Sequence, residues 1–308
     1  MFHSAKTAES GGSSKGRAVE ERPSETAMGA AFLRALAFIE EREEIRGSDC
    51  LAQLFLSEEQ RSVLQRPMMK KRVMKQILSP GKYEYILARS AFFDQIVEKA
   101  LKQNVPQIVF LGAGYDTRSY RFRDIIKATR IFELDIHTTQ AHKRELLGRM
   151  GMPLPPQVVF VPINFKTDSL EQALLGAGFD RRAKTTFIWE GVTMYLSPEA
   201  VDATLGCISI YSPPGSAIGF DYHAFSPAMA DAHGVRELRA FHRAHMPGEP
   251  LRFGIQEGEI GAFLASRGFE VLDHLRAEDI ERRHLTLRDG SCAGKVPALC
   301  SIVYAGVI

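Results

Sequence analysis

The sequence predicts an α/β protein with a doubly wound, mostly parallel seven-stranded sheet and an N-terminal helical cap. Short apolar runs alternate with helical stretches from residue 107 onward, which is typical of parallel strands joined by crossover helices. The residues before 105 carry helical patterns and no strand pattern. A helical cap followed by a sheet covered on both faces is therefore the expected architecture.

Three helices are predicted in the cap. Ser24 is a typical N-cap residue, and apolar residues follow it at helical spacing. A second helical run covers residues 58–78, and a third covers residues 82–102. Pro80 and Gly81 lie between these two runs and are typical helix stops, so two separate helices are expected there.

The predicted strands lie C-terminal to the cap. They are the apolar runs at residues 107–111, 129–134, 158–161, 185–189, 217–220, 270–272 and 300–304. Helices are predicted at residues 138–150, 170–175, 198–211 and 257–267. The expected organisation is a flexible N-terminal segment that could act as a lid, the helical cap, and a sheet domain with insertions over the substrate, at residues 1–16, 17–104 and 105–308.

The composition is that of an ordinary globular protein. Of 308 residues, 45% are hydrophobic and 25% are charged, which excludes a mostly disordered or fibrous chain. A net charge of +2 is too balanced to indicate a nucleic-acid partner. No run approaches the roughly 18 apolar residues of a membrane span, and no secretory signal is visible. We expect a cytoplasmic protein without a membrane partner, and its oligomeric state stays open.

Neither the cysteines nor the histidines indicate a metal site. The four cysteines are scattered without a CxxC pair, so neither a disulfide framework nor a zinc site is expected. His242 and His245 lie one helical turn apart, but no third ligand accompanies them. The sequence predicts no bound metal.

A glycine turn and an acid mark a ligand site at the edge of the predicted sheet. Gly112 and Gly114 follow the first strand, and Asp135 ends the second strand 21 positions after Gly114. A glycine turn lets the backbone approach a ligand closely, and an acid at this spacing can accept hydrogen bonds from ribose hydroxyls. The spacing indicates a nucleoside-containing ligand, although a merely structural glycine turn stays open.

The turn departs from the dinucleotide fingerprint at one position. That fingerprint has a third glycine three residues after the second, where the helix N-terminus meets a pyrophosphate. Thr117 occupies this position, which disfavours a dinucleotide.

Four longer runs carry a family resemblance. They are LGAGYDTRSYRF, FELDIHTTQAHKRELL, FIWEGVTMYL and GEPLRFGI. Together they resemble the successive motifs of the leucine carboxyl methyltransferase family and its bacterial relatives, which are S-adenosylmethionine-dependent O-methyltransferases. The resemblance extends from about Arg17 to the C-terminus. It implies the Rossmann-like class I methyltransferase fold and S-adenosyl-L-methionine as the cofactor.

The resemblance also implies which residues bind the cofactor. Gly112, Ala113 and Gly114 match the turn that passes under the methionine portion. Asp135 matches the ribose-binding acid, in agreement with its spacing. Arg89 matches an arginine that pairs with the cofactor carboxylate, for which a guanidinium is a natural bidentate partner.

Further matches lie around the adenine and amino ends of the cofactor. Glu190 matches a glutamate near the cofactor amino group, and Phe165 matches a hydrophobic residue beside the adenine. Asn164 stands where relatives usually carry an acid, and its carbonyl can still accept from the adenine amino group. Lys15 or Arg17 corresponds loosely to a basic residue that folds over the cofactor carboxylate.

The residues expected to meet the acceptor follow the later strands. His223 is the candidate base or acceptor-orienting group, because the carboxyl end of a strand faces the ligand crevice. Tyr195 and Tyr222 are further pocket candidates, and Arg252 could attract an acidic acceptor. A carboxylate acceptor needs no general base, because it is already ionised at neutral pH, whereas a phenol or alcohol would benefit from one.

Three functions are therefore weighed. The first is methyl transfer to a carboxylate or hydroxyl of a small aromatic or polyketide-like acceptor. The second is methylation of a protein or peptide C-terminal carboxylate. The third is a nucleotide-dependent oxidoreductase, which Thr117 disfavours, and a non-catalytic cofactor-binding module would show the same turn.

Overall fold

One large sheet forms the centre of the computed structural model, which describes residues 22–66, 68, 72–73, 78–246 and 248–308. Its strands are β1 (Gln107–Leu111), β2 (Arg130–Asp135), β3 (Val158–Pro162), β4 (Thr185–Trp189), β5 (Ala217–Phe225), β6 (Ile255–Gln256), β7 (Phe269–Leu275) and β8 (Cys300–Val307). Seven of them are ordered β3-β2-β1-β4-β5-β8-β7, and the two-residue β6 pairs with the end of β5. Strand β8 runs antiparallel to β5 and β7, and the other pairs are parallel.

The predicted fold class is confirmed, with corrections to the strands. The structure adds the short β6, and β5 extends to Phe225 rather than ending at residue 220. The apolar run ends at Phe220, because Asp221 and His223 are polar residues within the strand. His223 therefore lies inside β5 and not after it, although it is still close to the carboxyl end.

Helices cover both faces of the sheet and the entrance to its carboxyl edge. They are α1 (Glu25–Phe38), α2 (Glu58–Gln65), α3 (Lys82–Lys102), α4 (Arg118–Arg121), α5 (His137–Arg149), α6 (Leu170–Gly176), α7 (Pro198–Ile210), α8 (Val235–His245), α9 (Ile260–Ala265) and α10 (Ala277–His284). The Ser24 hydroxyl caps α1 by accepting from the backbone N–H of Ala27 at 3.1 Å. Helix α9 is shorter than the predicted 257–267.

Some predictions fall on residues outside those that the structure describes. They are the N-terminal segment 1–16 with its proposed lid role, Lys15, Arg17 and much of the predicted second helix beyond residue 66. Within the described part of the chain, no helix is long and apolar enough to span a bilayer.

The sheet buries alternate side chains on its two faces, as a doubly wound sheet requires. Ile108 and Phe110 of β1 join a core that also contains apolar residues of α1, α3 and α10. Val109 and Leu111 of the same strand join the opposite core with α6, α7 and α9. Because α3 shares its core with the sheet, cap and sheet are packed together across the predicted boundary at residues 104–105.

Candidate functional site

The loop after β1 forms a tight turn that only glycine fits comfortably. Gly112 has φ +73° and Gly114 has φ +48°, both in the left-handed region. A Cβ on Gly112 would lie 2.5 Å from a methyl group of Val192. The backbone N–H of Ala113 donates to the carbonyl of Leu134 at 2.8 Å and ties the turn to β2.

Asp135 closes this turn from the neighbouring strand. Its Oδ2 accepts from the backbone N–H of Gly114 at 2.5 Å, and its Oδ1 accepts from the backbone N–H of Ile136 at 2.7 Å. Burial raises the pKa of Asp135 to about 6 in spite of these two bonds. Each carboxylate oxygen has a further lone pair, so both can still accept from a ligand hydroxyl.

A cavity of about 600 Å³ opens over the turn and the carboxyl ends of the central strands. Residues of α1, in the cap, and of α8, after β5, both contribute to its wall. The structure places the following sequence-predicted residues in its wall: Arg89, Gly112, Ala113, Gly114, Asp135, Asn164, Phe165, Glu190, Tyr195, His223 and Arg252. The sequence therefore located one continuous site, while the role of each residue stays a prediction.

Tyr222 is a correction, because it does not line this cavity. Successive side chains of a strand point to opposite faces, so Tyr222 and His223 cannot both face the same crevice. The Tyr222 hydroxyl lies 2.9 Å from Nε2 of His274, and its ring stacks on the same histidine. Tyr222 belongs to the core on the far side of the sheet.

Arg89 is held in place by two acids. Its Nε donates to Glu190 at 3.0 Å and its Nη1 donates to Asp221 at 2.9 Å. Asp221 is fully buried and also accepts from the Tyr85 hydroxyl at 2.8 Å and from the backbone N–H of Gly191 at 2.6 Å. Asp221 was not found by sequence reasoning, because it lies inside an apolar strand and meets its partners only in the folded chain.

Arg118, which follows the glycine turn, extends the network of ion pairs around Arg89 and Glu190. Arg118 pairs with Glu190 at 2.8 Å, with Asp116 at 2.5 Å and with Asp94 at 2.7 Å. The Thr117 hydroxyl donates to Asp49 at 2.7 Å. Thr117, where the dinucleotide fingerprint has a glycine, therefore has a buried structural partner in the cap.

The loop after β3 contributes an amide and an aromatic ring to the wall of the cavity. Asn164 and Phe165 both line it and are partly buried. The Asn164 Oδ1 accepts from the backbone N–H of Lys166 at 3.0 Å, which fixes the direction of the amide. An aromatic ring and a fixed amide are suited to contact a flat heterocycle.

The opposite end of the cavity contains the predicted acceptor residues. His223 and Tyr195 are partly buried, whereas Arg252 is exposed. Burial, with smaller electrostatic effects of His242, Arg239 and Arg89, lowers the pKa of His223 to about 3. His223 is therefore a neutral hydrogen-bonding group at neutral pH rather than a ready proton acceptor.

Two further charged residues of the cavity wall were missed by sequence reasoning. Glu249 accepts from the Thr26 hydroxyl and so joins the loop before β6 to α1. Lys82 begins α3 and also lines the cavity. Neither residue has a local motif of its own, although Glu249 lies in the GEPLRFGI run.

The described residues contain no cluster of three or more potential metal ligands among His, Cys, Asp and Glu. His242 is buried in the cavity wall, and the exposed His245 lies one turn further along α8.

Comparison with known proteins gives one family and one curated relative of note. The family model described as leucine carboxyl methyltransferase matches residues 27–209. A Bacillus subtilis protein named "Putative S-adenosyl-L-methionine-dependent methyltransferase YktD" is 30% identical over 194 residues, covering 63% of this chain and 64% of that protein. The match thus spans slightly less than two thirds of the relative's length.

Two solved structures show the same fold at low sequence identity. A crystal structure described as "a putative methyltransferase from Thermobifida fusca YX" is 15% identical, with a TM-score of 0.58 over 93% of this chain and 95% of that one. A DUF574 family protein from Streptomyces avermitilis is 12% identical, with a TM-score of 0.59 over 95% of this chain and 100% of that one. The family model covers more than half of the chain, including the glycine turn and the Glu190 loop, and the protein belongs to the leucine carboxyl methyltransferase family.

Proposed function

We propose that this protein is an S-adenosylmethionine-dependent O-methyltransferase that methylates a carboxylate or hydroxyl of a small-molecule acceptor. The observation that carries the proposal is the continuous cavity, which joins a nucleoside end at Asp135 to an acceptor end at His223. Its volume of about 600 Å³ lies within the range of small-molecule sites. Family membership and the name of the Bacillus subtilis relative support the cofactor assignment.

The residues at the nucleoside end fit this cofactor. Asp135 has lone pairs left for the two ribose hydroxyls after its bonds to the backbone. Phe165 and Asn164 would contact the adenine, and Arg89 has N–H donors beyond its two ion pairs for the cofactor carboxylate. Glu190 would lie near the cofactor amino group. When bound, S-adenosylmethionine supplies an activated methyl group on a sulfonium.

The chain's own residues would mainly orient the acceptor and exclude water. Methyl transfer is an in-line displacement, so holding the nucleophile on the sulfur axis provides much of the acceleration. The pKa of His223 is lowered to about 3 and that of His242 to about 4, mainly by burial, so neither readily takes a proton at neutral pH. This favours an acceptor carboxylate, which is already ionised.

The cap favours a small acceptor over a protein C-terminus. Helices α1 and α8 both lie over the cavity, and the Thr26 hydroxyl of α1 donates to Glu249 beside it. A cavity partly covered by helices suits a small molecule, whereas a protein tail needs an open channel for an extended chain. Methylation of a peptide carboxylate is the second candidate, because it is the activity in the family's name.

Calorimetric titration tests the cofactor. We expect S-adenosylmethionine and S-adenosylhomocysteine to bind, NAD not to bind, and Asp135→Ala to weaken both ligands by about 1–3 kcal/mol for each ribose hydrogen bond that is lost. Asp124→Ala, at an exposed acid outside the cavity wall, is the matched control. Binding of NAD alone would refute the proposal in favour of an oxidoreductase.

Methyl transfer itself is tested with labelled S-adenosylmethionine and separate sets of carboxylates, phenols and peptides. An ester product releases labelled methanol in mild alkali, whereas an ether product does not. Transfer to neither oxygen class, with the cofactor bound, would leave a cofactor-binding module and refute the enzymatic proposal.

A further inference from the structure

Lys82 is a charged residue of the cavity that the proposed function does not use. It is the first residue of α3 and lines the cavity beside α8. Its Nζ lies 4.5 Å from the centroid of the Phe241 ring, on the cap side of the site. The side chain is partly buried.

Lys82 lines the cavity without a counter-ion among the described residues. Within the part of the chain that the structure describes, no Asp or Glu oxygen lies within 4.0 Å of its Nζ. By contrast, Glu190 pairs with Arg89 and Arg118, and Asp135 accepts from two backbone N–H groups. A partly buried cation without a counter-ion is destabilising, because burial removes part of its hydration and no opposite charge replaces it.

The position of Lys82 is unfavourable for the protein alone. A cation at the N-terminus of a helix opposes the helix dipole, and α3 is 21 residues long. Burial, with a smaller effect from the nearby Arg89 charge, lowers the pKa of Lys82 to about 8. The residue is therefore mostly protonated at neutral pH at a place where packing alone would favour an apolar side chain.

A second, adjoining pocket has the same sign of charge. It shares His223, His242 and Arg252 with the main cavity. Its described lining adds Arg239 and Arg243, and includes no acid. None of these three arginines forms an ion pair within the described residues. The second pocket therefore presents positive charge without an acid in its described lining, which attracts anions and raises their local concentration.

We propose that Lys82 selects the acceptor: it binds an anionic group of an amphipathic organic molecule whose apolar body fills the cavity. The identification of the bound molecule as the methyl acceptor rests on the proposed function, but the anion site itself does not depend on methyl transfer. The Lys82 ammonium lies over the face of the Phe241 ring, a cation–π contact that does not use its N–H donors. A charge-assisted hydrogen bond in a largely apolar cavity discriminates strongly against a neutral analogue.

The test uses phenylacetate, 3-phenylpropionate and 4-phenylbutyrate with their primary amides as neutral analogues. Each is titrated calorimetrically into the full-length protein, with and without saturating S-adenosylhomocysteine. The variants are Lys82→Met, which keeps length without charge, Lys82→Arg, which keeps the charge, and Lys127→Met, at an exposed lysine outside the cavity. The denaturation midpoint of each variant is measured in parallel.

We expect the carboxylates to bind the wild type and Lys127→Met at least about tenfold tighter than the amides, since a hydrogen bond to a charged group contributes this much or more. Lys82→Arg retains most of the preference. Lys82→Met loses it, with unchanged affinity for S-adenosylhomocysteine and an unchanged or higher denaturation midpoint.

Three outcomes would overturn the inference: an undiminished carboxylate preference in Lys82→Met, no preference in the wild type, or no binding of any carboxylate. A denaturation midpoint lowered in Lys82→Met would assign the lysine a structural role instead. Failure of S-adenosylhomocysteine to bind would refute the proposed function, while the titrations without it would still decide the role of Lys82.

Discussion

At the scale of single residues, Asp135 combines two tasks that depend on pH in opposite ways. Its pKa is raised by burial from 3.8 to about 6, so the folded protein takes up this proton more readily than the unfolded chain. Through this group the free energy of unfolding decreases as the pH rises from about 4 to about 6, because the ionised carboxylate is the form that burial disfavours. The proposed contact of Asp135 with the ribose has the opposite dependence, because the ionised carboxylate is the better acceptor of hydroxyl hydrogen bonds.

We therefore predict that the affinity for S-adenosylhomocysteine increases between pH 5 and pH 7. If only the ionised form binds, the change approaches about tenfold, since a group of pKa about 6 is mostly protonated at pH 5. Calorimetry across this interval measures it. Asp135→Asn is the control and should bind more weakly with little pH dependence. Equal wild-type affinity at pH 5 and pH 7 would contradict the prediction.

Sequence reasoning located Asp135 but not Asp221 or Lys82, and the reason is physical. The position of Asp135 follows from the regular spacing of two parallel strands and a glycine turn, which is local information. The position of Asp221 is explained by Arg89, 132 positions away, and Lys82 stands out only because the described residues provide it with no ion-pair partner. Long-range pairing of charges leaves no periodic signal in one sequence.

At the scale of elements, the turn between β1 and α4 has the strictest steric requirement at the site. Gly112 has φ +73°, and a Cβ there would meet Val192 at 2.5 Å. Val192 belongs to the loop after β4, which also contains Glu190. The close contact between Gly112 and Val192 therefore packs this loop against the glycine turn. The geometry of the site therefore depends on how closely these two loops pack.

We predict that Gly112→Ala lowers the free energy of unfolding by about 1–2 kcal/mol from backbone strain alone, and also weakens S-adenosylhomocysteine by displacing the turn. Gly148→Ala in α5 is the matched control, because a Cβ there meets nothing within 4 Å and the position is helical. That control should be neutral or stabilising by up to about 1 kcal/mol. Urea denaturation and calorimetry report the two effects, and equal behaviour of both variants would refute the steric argument.

Elements were predicted more reliably than their ends. The strand runs of the sequence overlap the observed strands β1 to β5, β7 and β8, because buried strands contain continuous apolar segments. Polar residues within β5 hid its second half, and β6 has only two residues, too short for any pattern. The prediction that Tyr222 lines the pocket was wrong for the same reason. Tyr222 lies within β5, so the face of the sheet to which its side chain points follows from the alternation along a strand that was expected to be shorter.

At the scale of the whole molecule, a chain of buried ion pairs joins the cap to the sheet. Arg34 of α1 pairs with Asp49, and Asp49 also interacts with Arg121. Arg118 pairs with Glu190, and Glu190 also pairs with Arg89. Arg89 in turn pairs with Asp221 in β5. The cap and the carboxyl edge of the sheet are thus bound electrostatically as well as through their shared apolar core. We infer that these pairs fix the cap over the cavity more than they add net stability, since burying charges offsets much of their attraction.

We predict that breaking this chain at Asp221 is costly. Asp221→Ala would leave Arg89 buried with Glu190 as its remaining partner and leave the Tyr85 hydroxyl and the Gly191 N–H without their acceptor. Removing one partner of a buried pair typically lowers the free energy of unfolding by about 3–5 kcal/mol. Urea denaturation measures this loss.

The matched control is Asp202→Ala, whose carboxylate pairs with Arg267 on the surface, where the expected loss is about 0–1 kcal/mol. Asp221→Asn should fall between the two, because the amide can retain hydrogen bonds to Tyr85 or Gly191 without the charge. If Asp221→Ala cost no more than Asp202→Ala, the buried pairs would not hold the cap to the sheet. The enclosure of the cavity would then depend on the apolar packing of α1 and α3 alone.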